Sequence, residues 1–219
     1  AGISRFDGST FKNYTSVDGL AHNKVRTLFD DAEGNLWAGT EGGVTRYDAD
    51  SFEYLAVEDG LPSDNVAELF RDAEGGMWIA TQAGVARFKN GKLETIKDFK
   101  SPLQSWVRVI EPAGDGDLWM GTRDGLLRFN GVEFVADPVS DLLVGEFVHC
   151  ILTDHAGVLW VGTLSGVFRV ENGVATHYTT ENGLPANRVW TLLEDEDHTI
   201  LMGTDGGLTR FDGMQFHPL

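Results

Sequence analysis

Six histidines, at positions 22, 149, 155, 177, 198 and 217, and one cysteine, Cys150, are the side chains of this sequence most suited to metal or nucleophilic chemistry. No two of the histidines have a spacing that would place two metal ligands on one strand, so no metal is expected from the spacing. His149 and Cys150 are adjacent, so on a regular strand they point to opposite faces and cannot form a thiolate–imidazolium pair. Asp115-Gly116-Asp117 and Asp195-Glu196-Asp197 resemble pieces of calcium loops, but no complete ligand series with a closing Glu follows either. There is no Gly-x-Ser-x-Gly elbow and no phosphate loop. The chain is therefore expected not to be an enzyme, and no cofactor is expected.

Composition narrows the partners. The 219 residues carry 34 acidic and 17 basic side chains, for a net charge of −17. Nucleic-acid affinity rests on cations that displace counterions from phosphates, so no nucleic-acid partner is expected. With 42% hydrophobic and 23% charged residues the balance is that of a globular chain large enough to bury a core. One cysteine excludes an intrachain disulfide. No apolar run approaches the roughly 18 residues of a membrane span, so no membrane insertion is expected. The start, Ala1-Gly2-Ile3-Ser4-Arg5, has neither Met nor a signal peptide, which reads as a mature or excised piece.

The elements that position any site must be short strands. The chain has 27 Gly against 6 Pro. Many of the glycines follow Asp or Asn, as in Asp59-Gly60, Asn90-Gly91, Asp124-Gly125, Asn172-Gly173 and Asp212-Gly213, where tight hairpins need positive φ. These dipeptides punctuate short apolar runs from end to end, which predicts antiparallel strands and almost no helix.

A strict internal repeat organises the strands. Trp37-Ala38-Gly39-Thr40 recurs as Trp78-Ile79-Ala80-Thr81, Trp119-Met120-Gly121-Thr122, Trp160-Val161-Gly162-Thr163 and Leu201-Met202-Gly203-Thr204, in steps of 41 residues. Val25, Val66, Val107, Val148 and Val189 keep the same step, as do Arg5, Arg46, Arg87, Arg128, Arg169 and Arg210. Within one copy four strands are predicted, at 25–30, 36–40, 44–47 and 52–55. A four-stranded unit of this length is the size of a propeller blade. The fold class is therefore all-β: a single β-propeller domain over 1–219, with five blades of four strands in repeats 15–55, 56–96, 97–137, 138–178 and 179–219 and an extra half-blade at 1–14. Residues 2–8 match 207–213, so either terminus could supply the outer strands of the last blade. If the ring is open, self-association is expected through the uncovered blade faces.

Columns that keep the repeat are expected to be structural. The Trp column is expected to fill the gaps between sheets, and the Gly-Thr that follows to let the chain turn. The Arg column is expected to pair with Asp31, Asp72, Asp154 and Asp195. Columns that break the repeat are the functional candidates, because the scaffold does not dictate them. The first strand of a blade borders the central channel. At its entrance and just past the column Val lie Lys24, Arg26, Asn65, Trp106, Arg108, Phe147, His149, Arg188 and Trp190. Aromatic planes with guanidinium and amide donors suit a small polar or oligosaccharide ligand. The competing reading is that Trp106, Phe147 and Trp190 merely plug the channel.

The repeat resembles that of the two-component regulator propeller family. The resemblance rests on Gly183-Leu184-Pro185-Ala186-Asn187-Arg188-Val189, Asp195, Gly203-Thr204 and Gly207-Leu208, and on Gly60-Leu61-Pro62, Asn65-Val66, Asp72, Trp78 and Gly84-Val85. Ala113 replaces the strand-ending Asp in the third copy, Leu201 replaces Trp in the fifth, and Trp106 and Phe147 are bulky where the family often has small or polar residues. The resemblance implies a sensory propeller from the periplasmic or extracytoplasmic part of a bacterial hybrid sensor kinase, whose relatives detect nutrients, often glycans. The leading expectation is thus a non-enzymatic recognition module. The alternative is a structural or protein-interaction scaffold, excised or engineered, with no ligand of its own. A propeller hydrolase or lyase ranks third.

Overall fold

Strand boundaries follow the punctuation of the sequence closely. The computed structural model describes residues 2–48, 51–96 and 106–219. The first pair, β1 (Ile3–Phe6) and β2 (Phe11–Tyr14), forms a two-stranded sheet. The first blade holds β3 (Val25–Asp30), β4 (Leu36–Thr40), β5 (Gly43–Tyr47) and β6 (Phe52–Leu55), and the second β7 (Val66–Arg71), β8 (Met77–Thr81), β9 (Gly84–Lys89) and β10 (Lys92–Thr95). The third holds β11 (Val107–Pro112), β12 (Leu118–Thr122), β13 (Gly125–Phe129) and β14 (Phe134–Val135). The fourth holds β15 (Val148–Thr153), β16 (Leu159–Thr163), β17 (Val167–Glu171) and β18 (Val174–Tyr178). The fifth holds β19 (Val189–Glu194), β20 (Ile200–Thr204), β21 (Gly207–Phe211) and β22 (Phe216–Pro218).

Every blade is a meander, each strand hydrogen-bonded to the next in sequence. The C-terminal strands stay with the last blade, and β1–β2 remains a sheet of its own. One short helix, α1 (Pro138–Leu142), was not expected; Asp137 caps it by accepting from the Val139 N–H, and Pro138 opens it. Blade-sized repeat 97–137 includes 97–105, which lie outside the described residues. The chain divides into two units, Ala1–Val107 and Arg108–Leu219.

The Trp column is core, as its period suggests: Trp37, Trp78, Trp119 and Trp160 are all buried. In the first unit Trp37 packs with Val44, Leu61, Val66 and Ile79 from two successive blades. In the second, Trp160 packs with Val189, Met202 and Phe211 of the next blade. Its N–H is satisfied within its own blade. The indole nitrogens of Trp37, Trp78 and Trp160 donate to Oδ2 of Asp31, Asp72 and Asp154 at 2.8, 2.7 and 2.9 Å. The other carboxylate oxygen accepts two backbone N–H groups of the turn, for example those of Ala156 and Val158 onto Asp154. Burial works against ionisation of Asp31, but the bonds from Trp37, Asn35 and Glu33 outweigh it and hold the acid at about 2.

Two expectations need correction. The Arg column pairs with the Asp column at Arg87–Asp72, 2.5 Å apart. Its recurring contact is instead the Trp directly across the ladder. Arg46, Arg87, Arg128 and Arg169 lie over Trp37, Trp78, Trp119 and Trp160 with guanidinium carbons 5.3–5.7 Å from the ring centroids. Where Ala113 has removed the acid, Arg128 is held by Asp115, Asp117 and Asp137, the latter two at 2.8 and 2.7 Å. The Asp115-Gly116-Asp117 segment is therefore spent on an arginine.

The second correction concerns Gly-Thr. A Cβ on Gly39 would lie 2.7 Å from Val66 Cγ1, and one on Gly162 would lie 2.9 Å from Val189 Cγ1. The glycine admits the column Val of the next blade. The turn belongs to the threonine: Thr40 Oγ1 donates to the Gly43 carbonyl at 2.8 Å and accepts from the Gly42 N–H at 3.0 Å. The same cap recurs at Thr81, Thr122, Thr163 and Thr204.

Replacing Trp160 with Ala empties a gap between two blades and leaves Asp154 without its indole donor. The expected cost is about 3–5 kcal/mol, read from a denaturant melt. A midpoint shift no larger than that of an exposed-residue control would remove the Trp column from the core.

Candidate functional site

The repeat-breaking positions owe their placement to a defect in the ladder. Val25, Val66, Val148 and Val189 pair with Thr40, Thr81, Thr163 and Thr204, and the next residues to pair are Thr27, Glu68, Cys150 and Thr191. Arg26, Ala67, His149 and Trp190 are therefore the extra residues of β-bulges. A bulged residue is released from the alternation of the strand and can be re-aimed. Simple alternation missed this. The Cys150 sulfur packs against Gly162, its partner across the ladder, and burial pushes the thiol up to about 12. It is unsuited to nucleophilic work.

The second unit brings five of the candidate residues together. The His149 ring is only 7% exposed, with centroid distances of 4.8 Å to Phe147 and 4.6 Å to Trp190. The guanidinium of Arg108 lies 5.9 Å from the Phe147 centroid and 5.8 Å from that of Trp190. Arg188 lies 5.5 Å from the Trp190 centroid. Trp190 remains 43% exposed, so part of it meets solvent beside two cations.

Asp205 completes the group and was not foreseen. It accepts from Trp190 Nε1 at 2.6 Å and pairs with Arg188 at 3.3 Å. The signal was present in the residue after each column Thr, which reads Glu41, Gln82, Arg123, Leu164 and Asp205. It varies as freely as the bulge column, and the ladder register sets it beside that column.

Neither ring nitrogen of His149 has a hydrogen-bond partner. Burial first, then the positive charges of Arg108 and Arg188, hold its pKa down at about 4, with Asp205 acting in the opposite sense. The imidazole is neutral at physiological pH. It offers one donor and one acceptor in a setting where unpaired polar atoms are costly.

The remaining candidates lie in the first unit. Lys24 and Arg26 both pair with Glu41, at 3.0 and 2.8 Å. This is the first-unit counterpart of Arg188 and Trp190 on Asp205. Asn65 is partly buried, and its side-chain oxygen has no hydrogen-bond partner. Trp106 is half-buried just ahead of β11.

Comparison with protein-family models matches the two-component regulator propeller over residues 19–42, 60–83, 142–165 and 183–206. The copy with Ala113 lies outside the matched segments. No curated protein matches significantly. Among solved structures, the extracellular domain of BT3049 from B. thetaiotaomicron, assigned to a hybrid two-component system, is 22% identical. It matches with a TM-score of 0.78 over 100% of this chain and 32% of that one. The corresponding domain of BT4673 from the same organism is also 22% identical, with a TM-score of 0.73 over 85% of this chain and 27% of that one. A virginiamycin B lyase from Staphylococcus aureus, 14% identical, matches with a TM-score of 0.74 over 96% and 74%. The chain thus spans about a third of the two extracellular domains, and at these identities the likeness establishes the propeller fold. Among the described residues no helix is long and apolar enough to cross a membrane.

The His149 environment makes a pH prediction. Free histidine titrates near 6.5. With the folded value lowered, the unfolded chain takes up the proton first. Stability from the neutral ring is complete above about pH 6.5 and is lost as pH falls toward about 4. An NMR titration is expected to show the His149 ring signals unmoved down to about pH 5 and a midpoint near 4. A midpoint near 6.5 would mean that water reaches the ring.

Proposed function

Because this chain is a member of the two-component regulator propeller repeat family, we propose that it is a non-enzymatic sensory module that takes a small polar, glycan-like ligand at Arg108, Phe147, His149, Arg188 and Trp190. The observation that carries this reading is His149, a buried neutral imidazole with two unpartnered nitrogens, set among aromatic rings and guanidinium groups. A polar ligand that orders this cluster relieves the cost of those unpaired atoms. The exposed part of Trp190 supplies aromatic surface, and Arg108 and Arg188 supply forked donors for vicinal hydroxyls or a carboxylate. The known relatives of similar fold support an extracytoplasmic setting, since BT3049 and BT4673 were solved as extracellular domains. The lyase neighbour keeps an enzymatic reading in view, but the high thiol pKa of Cys150 and the lowered pKa of His149 argue against nucleophilic or general-acid roles for those two groups.

Calorimetric titration of a panel of neutral and acidic oligosaccharides is expected to give at least one binder. The double substitution Arg108→Ala and Trp190→Ala is expected to weaken it by a factor of ten or more while circular dichroism stays unchanged. Equal affinity in the parent and the double variant would place the ligand elsewhere.

A second reading, a protein-interaction scaffold, is favoured by two leucines exposed where most residues of their columns are buried. Leu28 is 49% exposed, whereas Leu69, Ile110 and Ile151 in its register are buried. Leu208 is 46% exposed, whereas Val44, Val85, Leu126 and Val167 are buried. Such faces suit a further blade from a second copy. On this reading light scattering gives a mass above the 24.0 kDa of one chain, and Leu208→Asp lowers it. A monomeric mass for the parent would discard it.

A further inference from the structure

The opposite ends of β15 and β19 from His149 and Trp190 carry a second group of chemically distinctive residues. His155 stands in the turn after β15, Glu194 ends β19, and His198 stands in the turn after β19. Nδ1 of His155 and Nδ1 of His198 both face Oε1 of Glu194, the latter at 2.9 Å. The three ligand atoms lie within 4.8 Å of one another. Among the described residues this is the one group of three His, Cys, Asp or Glu side chains close enough to share a metal ion.

The repeat does not dictate these three residue types. The position of His198 is Gly34, Gly75, Gly116 and Gly157 in the other blades, all at positive φ. His198 occupies the same left-handed conformation, with φ of 62°, where glycine is the natural residue. The position of His155 is Ala32, Ala73 and Gly114 in the blades before it, and that of Glu194 is Asp30, Arg71, Pro112 and Thr153. Three departures in two adjacent blades converge on one point.

We propose that His155, Glu194 and His198 form a binding site for a divalent transition metal ion of the zinc class. Two imidazole nitrogens and one carboxylate oxygen make the ligand set of a three-coordinate protein site with an open fourth position. The carboxylate is already oriented for it. Its Oε2 accepts the His155 backbone N–H at 2.8 Å, which leaves Oε1 on the side of the two rings. Hydrogen bonds of this kind to a ligating carboxylate fix its direction. The two imidazoles stack with centroids 3.7 Å apart at 26°, and both Nδ1 atoms face the same carboxylate oxygen. The Glu194 side chain is well shielded while both rings are exposed, so the ion can enter from solvent. Once bound, it clamps the turn of the fourth blade to the turn of the fifth. Imidazole and carboxylate suit zinc, nickel or copper better than calcium or magnesium, which prefer oxygen alone.

The test is a calorimetric titration of the intact chain with Zn2+ alone, paired with thermal melts. One ion per chain is expected, with a rise in Tm as Zn2+ is added, because an ion held by the folded state stabilises it. His198→Gly restores the residue that the other four turns use, so the variant is expected to fold and to lose at least tenfold in Zn2+ affinity. His155→Ala and Glu194→Gln are expected to do the same. Zn2+ binding in His198→Gly as tight as in the parent would overturn the proposal, as would a parent that fails to bind at about millimolar Zn2+. Calcium is expected to give no Tm shift; a calcium response equal to that of zinc would also overturn it.

Discussion

Three of the five blades are organised around one indole nitrogen. The Trp of the second strand carries a large apolar body that must be buried and one N–H that must not be left unpaired. The strand-ending Asp meets that demand, and with its other oxygen ties down two amides of the turn it begins. Arginine from the third strand covers the ring. One side chain thus joins the first turn, the second strand and the third strand, and its ring packs against the blade that follows. The two exceptions show the coupling. When Ala113 removes the acid, Arg128 is redirected to three other carboxylates. When Leu201 removes the indole, Asp195 turns its Oδ2 to the Thr199 hydroxyl at 2.5 Å.

Much of this was legible because periodicity and turn chemistry act locally. Val25–Asp30, Leu36–Thr40 and Phe52–Leu55 fall where the apolar runs and Gly turns place them, and Gly43–Tyr47 differs by one residue. The Arg–Trp contact was not legible. Counting along the chain cannot distinguish an arginine that meets a carboxylate from one that meets the aromatic ring opposite, because the two depend on ladder register. The Gly of Gly-Thr was misread for a similar reason. At Gly39 and Gly162 its cause is a valine 27 residues later in the sequence, which an added Cβ would approach to 2.7 and 2.9 Å.

The candidate site was legible as a set of variable columns and illegible as a geometry. Arg108, Phe147, His149, Arg188 and Trp190 come together, and the bulge that gathers them has no signature in a single repeat. Asp205 escaped notice because it lies 15 residues beyond Trp190 in sequence yet beside it across the ladder. His155, Glu194 and His198 escaped a search for ligands on one strand, because they come from one strand end and two turns.

The bulges after Val25, Val66, Val148 and Val189 separate two jobs that a regular strand would force onto the same residues. The paired positions carry the ladder, and the surplus residue takes no part in that pairing. Arg26, Ala67, His149 and Trp190 can therefore differ in size, charge and polarity while four ladders keep one register. A protein built this way has an alphabet at one end of its strands: each blade spells one letter, and a single codon rewrites that letter without disturbing the page.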